Sequence, residues 1–294
     1  MSPIKYIEKI YVFCLVVIVR TLSNLGGYRI ALKLYPFNSS FFAGVQLKRK
    51  YLDKNYALSI QLNSKDLIDH KILFTGVYEK NTNNILTEYI EQGDLVIEAG
   101  ANSGTETLLI SRLVGNDGKV FAFEPVPHVF DKLSLNLKLN KIRNVESYNS
   151  ALGNTNDKIP FQINSINHPN QGMGTKLNID FENGDTIYVK QRTLDSFWEQ
   201  NCFNENIAFL KMDIQGGEFD LLKGAAKVLA NDKPKIFLEA SKSWSNLKSI
   251  YDLLISYDYS IFLVNGKFNK MIEVGPDKLL EGNWLALHKK NSSH

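Results

Sequence analysis

The hydrophobic pattern of the chain changes character near residue 94. Beyond it, short apolar runs that suit buried strands take turns with amphipathic stretches at helical spacing. "DLVIEAG" is followed by "GTETLLISRLVG", "KVFAFEP" by "VPHVFDKLSLNLKLN", and then comes "VESYNSALG". Phe130, Leu133 and Leu137 share one face of the second helical stretch, and Pro127 stands in its first turn, where the missing N–H costs nothing. This β-α-β-α-β order with short connections predicts a parallel sheet covered on both faces. A polar interlude runs from Asn154 to about Asp185. Its flanks, "KIPFQIN" and "TIYVKQRTL", alternate and predict an antiparallel pair around the turn-rich "HPNQGMGT". The rhythm then resumes with the strand "IAFLKMDI" and one helix over "GGEFDLLKGAAKVLA", whose buried stripe is Leu221, Leu222, Ala225, Val228 and Leu229. "PKIFLEA", the helix "WSNLKSIYDLLISYDY", "YSIFLV" and "NWLALHK" complete the sheet.

Before residue 94 the pattern differs. Residues 1–40 read as helical and apolar, ending near Pro36. Gly44 to Leu62 alternates and predicts a small hairpin, and Phe74 to Asp94 reads as a loop and a helix stopping at Gly93. The chain thus divides into an extension over 1–75 and a domain over 76–294, with 154–185 as a polar insertion placed to act as a lid. "IYVFCLVVIV", Ile10 to Val19, is ten apolar residues flanked by Lys5, Glu8, Lys9 and Arg20. A membrane span needs roughly 20. Three arrangements stay open: packing on the domain or a second subunit, lying on a membrane surface through residues 4–25, or a full span.

Composition narrows the function. Of 294 residues, 44% are hydrophobic and 22% charged, as in ordinary globular proteins. The net charge of +3 is too small to argue for nucleic acid, and the basic "KRKYLDK", Lys48 to Lys54, reads as a solvated loop or edge strand. The two cysteines, Cys14 and Cys202, have no metal or disulfide spacing, so a reducing, cytoplasmic setting is expected, with membrane association through the N-terminal helix left open. A homo-oligomer is equally open.

The chemistry concentrates in "VIEAGANSGTETLLI". Glycine at a strand-to-helix turn lets the backbone approach a ligand, and the helix N-terminus offers unpaired N–H groups. Glu124, at the end of the next strand, stands where doubly wound folds hold ribose hydroxyls. A nucleoside cofactor across the first two strands is the inference. The dinucleotide fingerprint needs a glycine where Asn102 stands, which disfavours NAD and suits S-adenosylmethionine, which has no pyrophosphate. Glu98, Gly100, Ala101, Asn102, Gly104, Glu124 and Pro125 are its candidate ligands, with Glu98 turned toward the ammonium. Ser150 and Ala151, after the third strand, are placed to meet the adenine through their backbone.

"VIEAGANSGTETLLISRLVGNDGKVFAFEP" with "TLDSF…IAFLKMDIQGGEFDLLKGA…PKIFLE" resembles the FkbM family of S-adenosylmethionine-dependent methyltransferases. The "GVYE" stretch, Gly76 to Glu79, resembles the family's lead-in and adds Tyr78 and Glu79 as cofactor contacts. The resemblance implies a class I methyltransferase fold: doubly wound, Rossmann-like, with a mostly parallel seven-stranded sheet and an antiparallel last strand. It also implies methyl transfer to an oxygen, often of a sugar or secondary metabolite. Two positions depart from the family pattern. Glu98 stands where aspartate is usual, and Gln215 replaces the glutamate of the motif Lys211-Met212-Asp213-Ile214-Gln215-Gly216-Gly217-Glu218.

Methyl transfer to a sugar or other polyhydroxylated metabolite needs a base or metal to help a weakly acidic hydroxyl. Asp213, at the end of the fourth strand and also a cofactor contact, is the first candidate. Lys211, two residues earlier on the same strand face, is placed to pair with Asp213 and lower its pKa or to orient the acceptor oxygen. Glu218 and the loop residue His168 are further catalytic candidates, and Gln215 and Glu239 candidate acceptor ligands. His128 is open to a place at the adenine rim. Mg²⁺ is compatible with Asp213, Glu218 and Glu239 but not required. Three other functions compete. A methyltransferase-like binding protein weakened by Gln215 is the alternative reading. A nucleic-acid amino-methylating enzyme lacks its D/N-P-P-Y signature here, and a NAD-dependent oxidoreductase is disfavoured by Asn102.

Overall fold

Two helices and a hairpin come first in the computed structural model, which describes residues 3–22, 26–36, 46–51, 58–164, 174–175, 185–201, 205–241, 246–265 and 270–289. α1 (Pro3–Thr21) and α2 (Gly27–Leu34) precede the antiparallel pair β1 (Gln46–Tyr51) and β2 (Leu58–Asn63). Val12, Leu15, Val16 and Val19 of α1 pack against Ala31, Tyr35, Ile60, Leu62 and Phe74 in a core of their own. Glu8 enters that core with a partner, accepting from the Tyr35 hydroxyl at 2.5 Å. One face of α1 therefore packs on its own chain. Among the described residues no helix is long and apolar enough to cross a membrane.

A helix absent from the sequence reading follows, α3 (Leu67–Thr75). Ile72, Leu73 and Phe74 are all buried, so it has no polar face and no amphipathic stripe to read. The Asp66 carboxylate caps it by accepting from Asp69 N–H at 3.0 Å, and Gly76, at φ 85°, ends it. α4 (Lys80–Tyr89) leads into the domain.

The alternating pattern becomes β3 (Leu95–Ala99), α5 (Thr105–Val114), β4 (Lys119–Phe123), α6 (Pro127–Leu139) and β5 (Val145–Tyr148), with all three strands parallel. The insertion forms a separate sheet from β6 (Ala151–Leu152), β7 (Lys158–Ile163), β8 (Gly174–Thr175) and β9 (Asp185–Arg192), in order β6-β9-β7-β8. β7 and β9 pair antiparallel, as the alternation predicts. After α7 (Leu194–Asn201), β10 (Phe209–Met212) returns beside β3.

The next helix is two: α8 (Glu218–Lys223) and α9 (Ala226–Asn231). The break falls at Gly224, where a Cβ would overlap the Gly153 carbonyl oxygen and whose own carbonyl accepts from Asp195 N–H. Tertiary packing on the insertion overrides a continuous stripe there. β11 (Lys235–Ala240), α10 (Leu247–Ser256), β12 (Tyr259–Asn265), β13 (Lys270–Glu273) and β14 (Gly282–His288) complete the chain. The main sheet has eight strands, ordered β13-β12-β14-β11-β10-β3-β4-β5, not the seven expected. The extra strand, β13, is an edge strand whose Met271 and Ile272 are exposed, so it carries no burial signal. β14 runs antiparallel to both β11 and β12. This is the class I methyltransferase topology, with its crevice outside the carboxyl ends of β3, β4, β10 and β11.

The N-terminal unit is fastened to the domain by two asparagines one turn apart on α6. Gln61 N–H donates to Asn136 Oδ1 at 2.9 Å, and Ser59 N–H donates to Asn140 Oδ1 at 2.7 Å. Asn140 Nδ2 donates back to the Ser59 carbonyl at 2.6 Å. The helix side chains thus stand in for a neighbouring strand along the free edge of β2.

Candidate active site

The loop from Gly100 to Gly104 lies where β3 turns into α5. Gly100, at φ 78°, presses so close to the end of β10 that a Cβ would overlap the Asp213 carbonyl oxygen. Asn102 also has positive φ, 49°, which asparagine tolerates. Its backbone N–H donates to Glu124 Oε2 at 2.9 Å, while Val126 N–H donates to Glu124 Oε1 at 2.9 Å. Glu124 therefore ties the β3 loop to the β4 loop. Its burial pushes its pKa up to about 7, against the lowering effect of those two amides.

Across the crevice, Asp213 and Glu239 end adjacent strands. Gln215, held at φ 51°, points its amide between them. Nε2 donates to Asp213 Oδ1 and to Glu239 Oε2, each at 3.2 Å. A glutamate there would bring a third negative charge, whereas glutamine supplies a neutral donor that holds the two carboxylates together. Partial burial of Glu239, with Asp213 and Glu79 nearby, raises its pKa to about 7.

Glu218 is 1% exposed, and its Oε1 accepts from Ile214 N–H and Gly216 N–H, each at 3.3 Å. It braces the turn that presents Gln215 and lines neither cavity described below. Among the described residues no group of three or more His, Cys, Asp or Glu is arranged to hold a metal. Asp213, Glu218 and Glu239, compatible in sequence with an optional Mg²⁺, are divided here, because Glu218 turns to backbone amides and the Gln215 amide stands between the other two.

Two cavities meet here. The first, about 290 Å³, has an apolar wall of Phe123, Val126, Ala151, Leu152, Ile159 and Phe161. Its polar lining includes five carboxylates, Glu79, Glu106, Glu124, Asp213 and Glu239, and among the described residues no lysine or arginine. The second, about 420 Å³, shares Glu79, Asp213 and Glu239 with the first and adds Lys71, Thr75, Lys80, Thr82, Lys211 and Asn283. Glu106 is the carboxylate that the sequence reading missed. Thr105 Oγ1 donates to its Oε2 at 2.6 Å, while Oε1 is buried without a hydrogen-bond partner. Burial raises its pKa to about 7, with Lys211 opposing and Glu79 reinforcing the rise. Tyr78 is half-buried beside Glu79, Glu106 and Asp213, and burial together with those three carboxylates raises its pKa.

A family model for the FkbM methyltransferase domain matches residues 98–261, more than half of the 294. The chain belongs to the FkbM methyltransferase family. It is an S-adenosylmethionine-dependent methyltransferase. No match is found among proteins of curated function. Among solved structures, an FkbM methyltransferase of Methylobacillus flagellatus is 14% identical, at a TM-score of 0.41. The alignment covers 81% of this chain but only 56% of that one. A SAM-dependent O-methyltransferase of Thermotoga maritima is 14% identical, at TM-score 0.40 over 72% of this chain and 66% of that one. Aeropyrum pernix fibrillarin, solved with S-adenosylmethionine natively bound, is 12% identical, at TM-score 0.42 over 70% and 73%. At such distances the superpositions say nothing of acceptor or mechanism.

For the FkbM motif residues, the structure separates cleft from scaffold. Tyr78, Glu79, Gly100, Asn102, Glu124, Pro125, Ala151, Asp213, Gln215 and Glu239 line the first cavity. Glu98 does not. It is fully buried, accepting from Thr107 Oγ1 at 2.6 Å and paired with Lys211 Nζ at 3.3 Å. The register sets Glu98 directly opposite Lys211, and α5 closes over it. Burial alone would lower the Lys211 pKa, but Glu98, Glu106, Asp213 and Glu79 more than offset this and raise it. Ala101 is buried against Leu108 and Leu133, Gly104 packs on Leu133, and neither lines the cleft. Ser150 and His128 do not line it either. His168 lies outside the described residues. The insertion strand contributes Ile159 and Phe161, whose alternation marks an apolar face but not what it faces.

Proposed function

We propose that this enzyme methylates a hydroxyl of a sugar, glycan or other polyhydroxylated metabolite, with the methyl donor in the first cavity and the acceptor in the second. The observation that carries this reading is the shared wall: Glu79, Asp213 and Glu239 line both spaces. A group passed from one ligand to the other must cross there. Five carboxylates without a cation among the first cavity's lining residues suit a ligand bearing a sulfonium and an ammonium, and the partnerless Glu106 oxygen is a ready acceptor for an N–H. On this reading Glu124 and Asn102 take the ribose, and Phe123, Val126, Ala151, Leu152 and Phe161, which form the apolar wall, take the adenine.

When bound, S-adenosylmethionine supplies an electrophilic methyl group. The protein's part is to align and deprotonate the acceptor. Asp213 and Glu239, adjacent and bridged by Gln215, act as one base. Glu239, raised to about 7, sits near the value at which proton abstraction at neutral pH is most effective. The second cavity's donors and acceptors, among them Lys71, Lys80, Thr82 and Asn283, suit several hydroxyls in one molecule. Holding oxygen, carbon and sulfur in line accounts for up to ~7–11 kcal/mol in well-oriented systems.

The test is transfer of a labelled methyl group to a panel of glycans, glycolipids and polyols, with D213N and E239Q compared. Each substitution lowers turnover by roughly 10²–10⁴-fold while cofactor affinity changes less than about tenfold, which is 1.4 kcal/mol. Cofactor binding without transfer to any hydroxyl in the panel would instead fit a binding protein. An equal fall in affinity and turnover would make the pair structural.

A further inference from the structure

One feature of the molecule lies outside the site: the solvent side of α1. Ile4, Ile7, Ile10, Phe13, Val17 and Ile18 are 49–72% exposed. At 100° per residue they cover a continuous half of the helix with no charge in it, and Tyr6 and Tyr11 lie within the same arc. The opposite half is the buried stripe already described, so α1 is apolar on both sides with only one side covered. Burying the second face inside the same chain would need an element that the described residues do not place there.

Charge decides what covers it. From residue 1 to 36 the chain has Lys5, Lys9, Arg20, Arg29 and Lys33 but one acid, Glu8. Glu8 is turned into the core, where Tyr35 donates to it. The charge this unit shows to solvent is therefore positive. Lys9 and Arg20 lie beside one edge of the arc, Arg20 also donating to the Leu73 carbonyl at 3.2 Å, and Lys5 is exposed at the start of the helix. Lys33 lies next to Leu34, an exposed leucine whose carbonyl accepts from Tyr11. A second copy of the same face would bring like charges together. A negatively charged surface with an apolar interior satisfies both the arc and its margin.

We propose that α1 docks the protein onto the anionic surface of a lipid bilayer, lying in the interface with its exposed arc among the acyl chains. The helix stays folded on its own chain because Val12, Leu15, Val16 and Val19 remain in the protein core. α3, packed on α1 through Ile72, Leu73 and Phe74, also contributes Lys71 and Thr75 to the second cavity's lining. α3 thus lies between the docked helix and the second cavity. The proposal needs neither cofactor nor acceptor, so it stands or falls apart from the proposed reaction.

The experiment is co-sedimentation of the full chain with vesicles of phosphatidylcholine alone and of phosphatidylcholine mixed equally with phosphatidylglycerol. The expected result is binding to the mixed vesicles at least about tenfold stronger than to the neutral ones, and weakened by salt. Ile7→Glu with Val17→Glu alters only exposed positions, so it keeps the thermal midpoint and loses at least about tenfold in partitioning. If that variant unfolds, Lys5→Glu with Lys33→Glu keeps the arc and abolishes the preference for phosphatidylglycerol. Equal partitioning of wild type and Ile7→Glu/Val17→Glu overturns the proposal. So does a lipid-free dimer that those substitutions dissociate, in wild-type protein that ignores both vesicles; a second copy would then be the occupant.

Discussion

Glu106 shows most clearly what a buried carboxylate beside a cavity costs the fold. Its carboxyl titrates near the ordinary 4.5 in the unfolded chain and near 7 in the fold, because burial disfavours the charge. Between those values the folded protein holds more protons than the unfolded one, so stability falls as pH rises from about 4.5 to about 7. Glu124 follows the same course for the same reason. Removing the ionisable group at 106 is therefore stabilising at high pH. Urea unfolding of the cofactor-free Glu106→Gln protein shows a shallower loss of stability across that window and a higher midpoint above it. An unaltered pH profile would mean that Glu106 is solvated. The glycine loop, Glu124, Asp213 and Glu239, which line the first cavity, stand out in the sequence because a strand end followed by glycine or an acid is a local pattern. The sequence reading misplaced Glu98 because burial is not local: only the register with Lys211 and the closure by Thr107 show that this carboxylate is internal. It passed over Glu106 because an acid in the first turn of a helix is ordinary helix chemistry.

Among elements, the contact between β2 and α6 helps join the N-terminal unit to the domain, beside the Asp69–Lys132 pair between α3 and α6. Asn136 and Asn140 each accept from a strand N–H, and both strand groups lie on the edge of β2 that β1 leaves unpaired. Leaving such a group unsatisfied costs roughly 1–3 kcal/mol. Asn136→Ala with Asn140→Ala is expected to lower the unfolding free energy by that order for each site. Limited proteolysis of the double variant should cut within residues 1–75 before the sheet is lost. Unchanged cleavage and an unchanged urea midpoint would show that apolar packing and the Asp69–Lys132 pair fasten the unit. Elements whose signal is periodic, such as α5, α6 and the parallel strands, were legible in the sequence. α3, buried on most sides, and β13, an exposed edge, have no period to read. The division of α8 from α9 depends on Gly224 meeting Gly153, a contact between residues more than seventy positions apart in the chain.

At the scale of the whole molecule, the parts form a sequence of surfaces. α1 shows one apolar face to solvent and packs the opposite face on α3, α3 borders the polar second cavity, and that cavity meets the acidic first cavity across Glu79, Asp213 and Glu239. The central claim concerns the last of these, that the acidic cleft holds S-adenosylmethionine. Its most direct test is calorimetric titration of the full chain with S-adenosylmethionine across the neutral pH range. The account predicts one site per chain and an affinity that rises as pH passes through about 7, because Glu106 and Glu239 must be ionised to face a cation. It also predicts a heat that varies with the buffer, as protons leave those carboxyls on binding. No heat at millimolar ligand, or an affinity that falls as those carboxyls ionise, would contradict it.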